Sequence, residues 1–201
     1  MSKLDDLITE LCPDGVEYRE LEEVIDYEQP TKYLVQSTTY NDDFCIPVLT
    51  AGATFILGYT NEKENIYLAT KENPVIIFDD FTTSFHWVDF NFKVKSSAIK
   101  LLTVKNREKE SSLLRYVYFT MKCVFFEPSQ HARHWIQQYS KFKIPLPPLP
   151  IQEEIVRILD SFTELEAELE AELKLRKKQY EYYRNKLLSF KVKTSQKLEE
   201  T

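Results

Sequence analysis

The residues best suited to chemistry in this chain lie in two short stretches. Asp79-Asp80 follows the apolar run Val75-Ile76-Ile77-Phe78, and His131 and His134 flank Arg133 within Pro128-Ser129-Gln130-His131-Ala132-Arg133-His134-Trp135. Acids just past a buried strand are where nuclease and metal-site carboxylates often stand. Adjacent residues at a strand end point to opposite sides, however, and the lysine expected nearby in a restriction-type nuclease is missing. The pair therefore reads as a solvated turn, with a metal-dependent nuclease using Asp79 and Asp80 as the alternative. The two histidines lack the third ligand of a zinc site, and no HExxH is present. No metal site is expected.

The 128–135 stretch has two readings. One is an exposed polar loop anchored to the core by Trp135. The other is a recognition loop, in which Gln130, Arg133 and Gln137 make bidentate contacts to base edges while His131, His134 and Ser129 reach phosphates. Lys32, Tyr33, Thr54 and Thr82 join the candidate set as polar residues on predicted loops. No cofactor site is expected, because the 3 glycines form neither GxGxxG nor GxxxxGK[ST]. The Asn-Pro-Pro-Tyr or Asp-Pro-Pro-Tyr run of adenine methyltransferases is also missing.

The elements that must position these residues follow from pattern. Ser2 caps a short helix carrying Leu4, Leu7, Ile8 and Leu11, which Pro13-Asp14-Gly15 stops. Val16-Glu17-Tyr18 starts a strand, and Glu20–Ile25 is a brief helix. Ile46–Thr50, Phe55–Tyr59, Val75–Phe78 and Ile99–Val104 read as strands. Phe85 to Lys95 alternates apolar and polar as one half-buried strand. Ser111 or Ser112 caps a helix carrying Leu113, Leu114, Tyr116, Val117 and Met121.

From Ile144 the character changes. Ile144-Pro145-Leu146-Pro147-Pro148-Leu149-Pro150 holds four prolines, a stiff extended strut. Gln152-Glu153-Glu154 then opens a run to Phe190 with neither Gly nor Pro. A helix of forty residues is about 60 Å long, more than a small domain can bury. Ile151, Ile155, Ile158, Phe162, Leu165, Leu169, Leu173, Arg176, Tyr180, Tyr183 and Leu187 recur in steps of four and three, with two successive steps of four at Leu169. That is a coiled-coil seam with one stutter, which unwinds the supercoil locally. One helix of an ordinary bundle is the other reading of the same pattern.

The net charge of −6 is unevenly spread. Residues 1–30 carry −8, residues 31–144 carry +3 and residues 145–201 carry −1. The middle can face phosphate and the acidic start cannot. Cys12, Cys45 and Cys123 include no CxxC and read as buried or inert thiols in a reducing compartment. With no signal peptide and no membrane-spanning run, a cytoplasmic location is expected.

These residues carry a family resemblance. Leu11-Cys12-Pro13-Asp14-Gly15-Val16-Glu17-Tyr18, the strands Ile46–Thr50 and Val75–Phe78, and above all the strut running into Gln152-Glu153-Glu154-Ile155-Val156 and Leu159-Asp160 resemble the specificity (S) subunit of Type I restriction–modification enzymes. The resemblance covers residues 10–190. A usual member has two target-recognition domains and two long helices, whereas this sequence has one of each. It resembles either a half-length form or a fragment of a longer chain.

The resemblance implies an α+β fold, a β-rich mixed target-recognition domain followed by a long C-terminal coiled-coil helix. The recognition domain with its N-terminal helix would span 1–145, the strut and spacer helix 146–190, and a flexible tail 191–201. It implies a non-catalytic subunit that reads a half-site in double-stranded DNA. Its partners would be a modification (methyltransferase) subunit, on which S-adenosylmethionine binds, and a restriction (motor and nuclease) subunit. A homodimer with antiparallel helices would restore the two-domain plan, through Ile155, Phe162, Leu165, Leu169, Leu173, Tyr180 and Leu187. A coiled-coil adaptor without DNA specificity is the remaining alternative.

Overall fold

A computed structural model describes residues 2–52, 54–105, 110–128 and 133–190, with the side chains of 110–112 left aside. Two compact units result, Met1–Val156 and Arg157–Thr201. The first holds α1 (Lys3–Leu11), β1 (Tyr18–Glu20), α2 (Leu21–Val24), β2 (Ile25–Glu28), β3 (Ile46–Leu49), β4 (Ile56–Thr60) and β5 (Val75–Asp79). It continues through β6 (Phe85–Val88), β7 (Lys93–Val94), β8 (Ile99–Val104), α3 (Glu110–Lys122), α4 (His134–Gln137) and β9 (Lys143–Pro145). The helix α5 (Leu149–Leu188) begins in the first unit and supplies the second.

The body is built on a four-stranded antiparallel sheet in the order β2-β8-β5-β6. The central strand β5 is apolar from Val75 to Phe78 because both of its faces are covered. Ile76 and Phe78 point into one core with Leu102, Leu114, Val117, Met121, Trp135 and Tyr139. Val75 and Ile77 point into the other with Leu49, Val88, Phe92 and Leu101. Period-two alternation thus places one strand in two cores. The second core is closed by the sheet β4-β3-β7, in which β3 and β7 run parallel.

The expected strand from Phe85 to Lys95 is two strands. β6 ends at Val88, and β7 starts at Lys93 in the other sheet. Phe92 between them bridges to Tyr67, stacked at 5.1 Å, so its ring enters the second core instead of continuing β6.

The amino terminus behaves as its residues suggest. Ser2 forms a capping box with Asp5, its hydroxyl accepting the Asp5 N–H. β1 pairs with β9, Tyr18 opposite Pro145 and Glu20 opposite Lys143, so the two ends of the body meet. Lys3 pairs with Glu154 at 2.8 Å, and that carboxylate is buried. Ile151, Gln152 and Glu154 are all buried. The first two turns of α5 are therefore part of the body, which extends past residue 145 because these side chains pack into it. Pro150 sits in the first turn, where no helical N–H is needed. No helix among the described residues is long and apolar enough to cross a membrane.

Candidate nucleic-acid interface

The turn after β5 and the short helix α4 form one assembly. Asp79 Oδ1 accepts the N–H groups of Phe81 (2.8 Å) and Thr82 (2.9 Å), closing the turn, and Thr83 takes a left-handed φ of 56°. Asp80 faces the opposite way and is fully buried. Its Oδ1 accepts the Trp135 N–H at 2.9 Å, and its carbonyl accepts the His134 N–H at 2.9 Å. Its Oδ2 lies 3.3 Å from the buried Lys100 ammonium, an ion pair without hydrogen-bond alignment, and that ammonium also sits 5.1 Å from the Tyr27 ring centroid.

These contacts correct the solvated-turn reading for Asp80 and leave it standing only for Asp79. They also give both acids structural work. The nuclease alternative loses its paired carboxylates, since Asp80 is spent on holding α4 against the sheet.

That clamp sets the start of α4, which Arg133 precedes, against the residue that leads into the turn carrying Thr82. Arg133 precedes α4 with its side chain in solvent, and Thr82 is exposed on the turn that Asp80 adjoins. Gln137 at the end of that helix and Gln138 just after it are exposed, beside Ile136 at 53% exposure. Trp135 is buried edge-on to Phe78 at 5.1 Å, anchoring the loop as its type suggests. His134 is a correction. It is 1% exposed with its ring against Phe126 at 5.2 Å, because the first residue of α4 is drawn inward by its bond to Asp80. A ring so placed cannot reach a phosphate. Gln130 and His131 lie outside the described residues.

The other candidates form separate groups. Lys32 pairs with Glu28 at 2.9 Å and lies 4.7 Å from the Tyr33 ring centroid. Its hydrogen bonds to Tyr33 first and to Glu28 second raise the ammonium above its ordinary range. Tyr33 packs edge-on against Tyr67 at 4.9 Å and is half-buried. Thr54 is exposed on the β3–β4 turn, its carbonyl accepting the Thr50 hydroxyl. The neighbouring Phe55 stacks on His86 of β6 at 4.6 Å, so this turn rests on the larger sheet.

A further buried charge organises the loop behind Lys32. Lys93 is 2% exposed and bonds Glu62 at 2.7 Å and the Glu64 carbonyl at 2.9 Å. Glu62 also accepts the N–H groups of Gln36 and Ser37. Burial pushes the Glu62 carboxyl up, but the Lys93 bond and the two N–H donors outweigh it and hold the group below its ordinary value. Sequence reasoning passed over both clamps. Their signal was a lysine inside an otherwise apolar strand, as in Ile99-Lys100-Leu101, where a buried charge requires a partner. Among the described residues no group of three or more His, Cys, Asp or Glu could hold a metal ion.

The helix α5 offers a surface of a different kind. Ile155 is half-buried, while Phe162, Leu165, Leu169, Leu173, Tyr180 and Leu187 are 50–71% exposed.

A family model described as the Type I restriction modification DNA specificity domain matches residues 13–176. The chain belongs to that family. It is 55% identical over 202 residues to the Type I restriction enzyme EcoR124I/EcoR124II specificity subunit of Escherichia coli, across 95% of this chain and 48% of that one. A putative Type I restriction enzyme specificity subunit of Haemophilus influenzae is 32% identical over 145 residues, 67% of this chain and 36% of its own length. The specificity-family fold also appears in the crystal structure of a Type I restriction–modification S subunit from M. genitalium. That structure matches with a TM-score of 0.63 at 16% identity, over 87% of this chain and 46% of that chain. The chain thus spans about half the length, or less, of these two curated relatives.

Proposed function

We propose that this chain is the DNA-recognition subunit of a Type I restriction–modification complex, reading one half-site and catalysing no step itself. The observation that carries the reading is the 55% identity to the E. coli specificity subunit over 95% of this chain. Arg133, Thr82 and Gln137 support it, since these exposed donors can meet base edges and phosphates. Asp80 and Lys100 hold the start of α4 rigidly, as specificity requires. The protein acts in the cytoplasm, where DNA and the modification and restriction subunits are found.

The exposed seam of α5 is the scaffolding surface. Two copies pair through antiparallel helices, present two recognition bodies and read two identical half-sites in inverted orientation. The modification subunit docks on this pair and supplies S-adenosylmethionine and the methyl transfer.

The test is to combine the purified chain with the modification subunit and measure methyl transfer from S-adenosylmethionine to a library of DNA duplexes. Methylation confined to an interrupted palindrome is the expected outcome. Transfer without sequence preference, or to an asymmetric site, would remove the reading of two identical half-sites. A chain that self-associates yet leaves DNA binding and methylation unchanged would instead be a structural adaptor.

A further inference from the structure

The apolar seam of α5 reads the same in both directions about one residue. Counting from Leu169, seam positions fall 4, 7, 11 and 14 residues toward the amino end (Leu165, Phe162, Ile158, Ile155) and the same numbers toward the carboxyl end (Leu173, Arg176, Tyr180, Tyr183). Leu169 is also the stutter, where two steps of four meet. It lies at the middle of the forty-residue helix Leu149–Leu188. An uninterrupted heptad can slide by seven residues and still match. A helix with one stutter cannot, because only one register sets the two stutters against each other.

We propose that two copies pair antiparallel about a two-fold axis at Leu169, and this register rests on the homodimer reading above. Leu169 then meets Leu169 of the second copy. Leu165 faces Leu173 of the second copy, Phe162 faces Arg176, and Ile158 faces Tyr180. Small aliphatic and aromatic positions of one half thus meet the long and ring-bearing positions of the other. Ile151 is already buried in its own body, so the shared seam runs from Ile155 to Tyr183.

Charge supports this direction. Residues 149–172 contain eight acidic residues and one basic, whereas residues 173–188 contain six basic and one acidic. Antiparallel pairing lays the acidic half of each helix along the basic half of its partner, with Glu164 level with Lys174 of the second copy. Parallel pairing would set like against like throughout. Close to the axis the acidic stretch Glu166–Glu172 meets its own copy, so the leucines hold the centre.

Single cysteines test the register in a chain whose Cys12, Cys45 and Cys123 are replaced by serine, none of them fully buried. Light scattering is first run on that background. L169C is expected to link to itself under mild oxidation. F162C alone is expected not to, since its two copies would stand 14 residues apart, about 21 Å along the axis, against the roughly 4.4–6.8 Å between Cα atoms that a disulfide needs. A mixture of F162C and R176C is expected to cross-link. Self-linking of F162C as fast as L169C would overturn the antiparallel direction. Faster self-linking of L165C or L173C would move the axis and overturn the register while leaving the dimer. A background that scatters as a monomer near 23.8 kDa, or takes up modification subunit only as a monomer, would remove the homodimer itself.

Discussion

The body and the long helix use the same residue types to opposite ends. In the body, Leu101, Leu102, Ile76 and Ile77 are fully buried, and the charges that go inside with them, Asp80, Lys100 and Lys93, are paired. On α5 beyond Val156, Leu165, Leu169 and Leu173 are at least half exposed. A core that closes on itself can hold a rigid surface for recognition. A seam left open is, on the pairing proposed above, closed by a second copy. Stability and assembly are therefore separable in this chain, and substitutions in one region are expected to leave the other's readout unchanged.

The sharpest break is Asp80→Ala. It leaves the Lys100 ammonium buried without its carboxylate and frees the amino end of α4, at a cost of about 3–5 kcal/mol. Urea unfolding followed by Trp87 and Trp135 fluorescence reads the loss. Restored stability in the double variant Asp80→Ala/Lys100→Met would confirm that the orphaned charge is the cause.

Leu169→Glu comes next and should act only on the other side of the comparison. Two carboxylates at one axis, added to the acidic stretch around them, are expected to weaken self-association by about 3 kcal/mol or more, roughly two decades. Sedimentation measures it. The body's urea midpoint should not move, and a shift would mean that pairing and folding are coupled after all.

Arg133→Ala is expected to be smaller and to touch neither property. Loss of one base-edge contact costs about 1–3 kcal/mol in DNA affinity and relaxes preference at one position of the half-site. Binding to a mutated-site panel by the assembled complex reads it. A uniform loss across all sequences would instead make Arg133 a phosphate contact.

The smallest effect is in pH, and it belongs to the body. The Glu62 carboxyl is held below its ordinary 4.5, so its contribution is present above that value and lost as pH falls through the folded one. Burial raises Tyr116 and Tyr139 from 10.0 to about 12, so they favour the folded state below pH 10 and cease to as pH rises through 12. Glu62→Gln should lower stability at neutral pH and flatten its decline in acid. An unchanged acid limb would assign that limb to other carboxylates.

Much of this contrast was legible in the residues. β8 falls on Ile99–Val104 as its pattern indicates, β5 on Val75–Asp79, and α1 starts at the Ser2 cap. The prolines end at the start of α5 because a ring without an N–H is tolerated only in the first turn. The division of Phe85–Lys95 was hidden, since alternation reports which face is buried and not which sheet is joined. The inward turn of His134 was hidden for a related reason. Its neighbour Arg133 is just as polar, and the bonds to Asp80, 54 residues earlier in the chain, together with the Phe126 ring, draw His134 in.

The pairing of Tyr18 with Pro145 and of Lys3 with Glu154 also sets an order in time. The first twenty residues leave the ribosome early, yet the strand and carboxylate they need are made more than a hundred residues later. The body cannot close until Val156 has emerged, which makes its folding slow to begin. Closure of the body therefore waits on the start of α5, and until then the acidic amino-terminal segment has neither its strand partner nor the carboxylate that Lys3 needs.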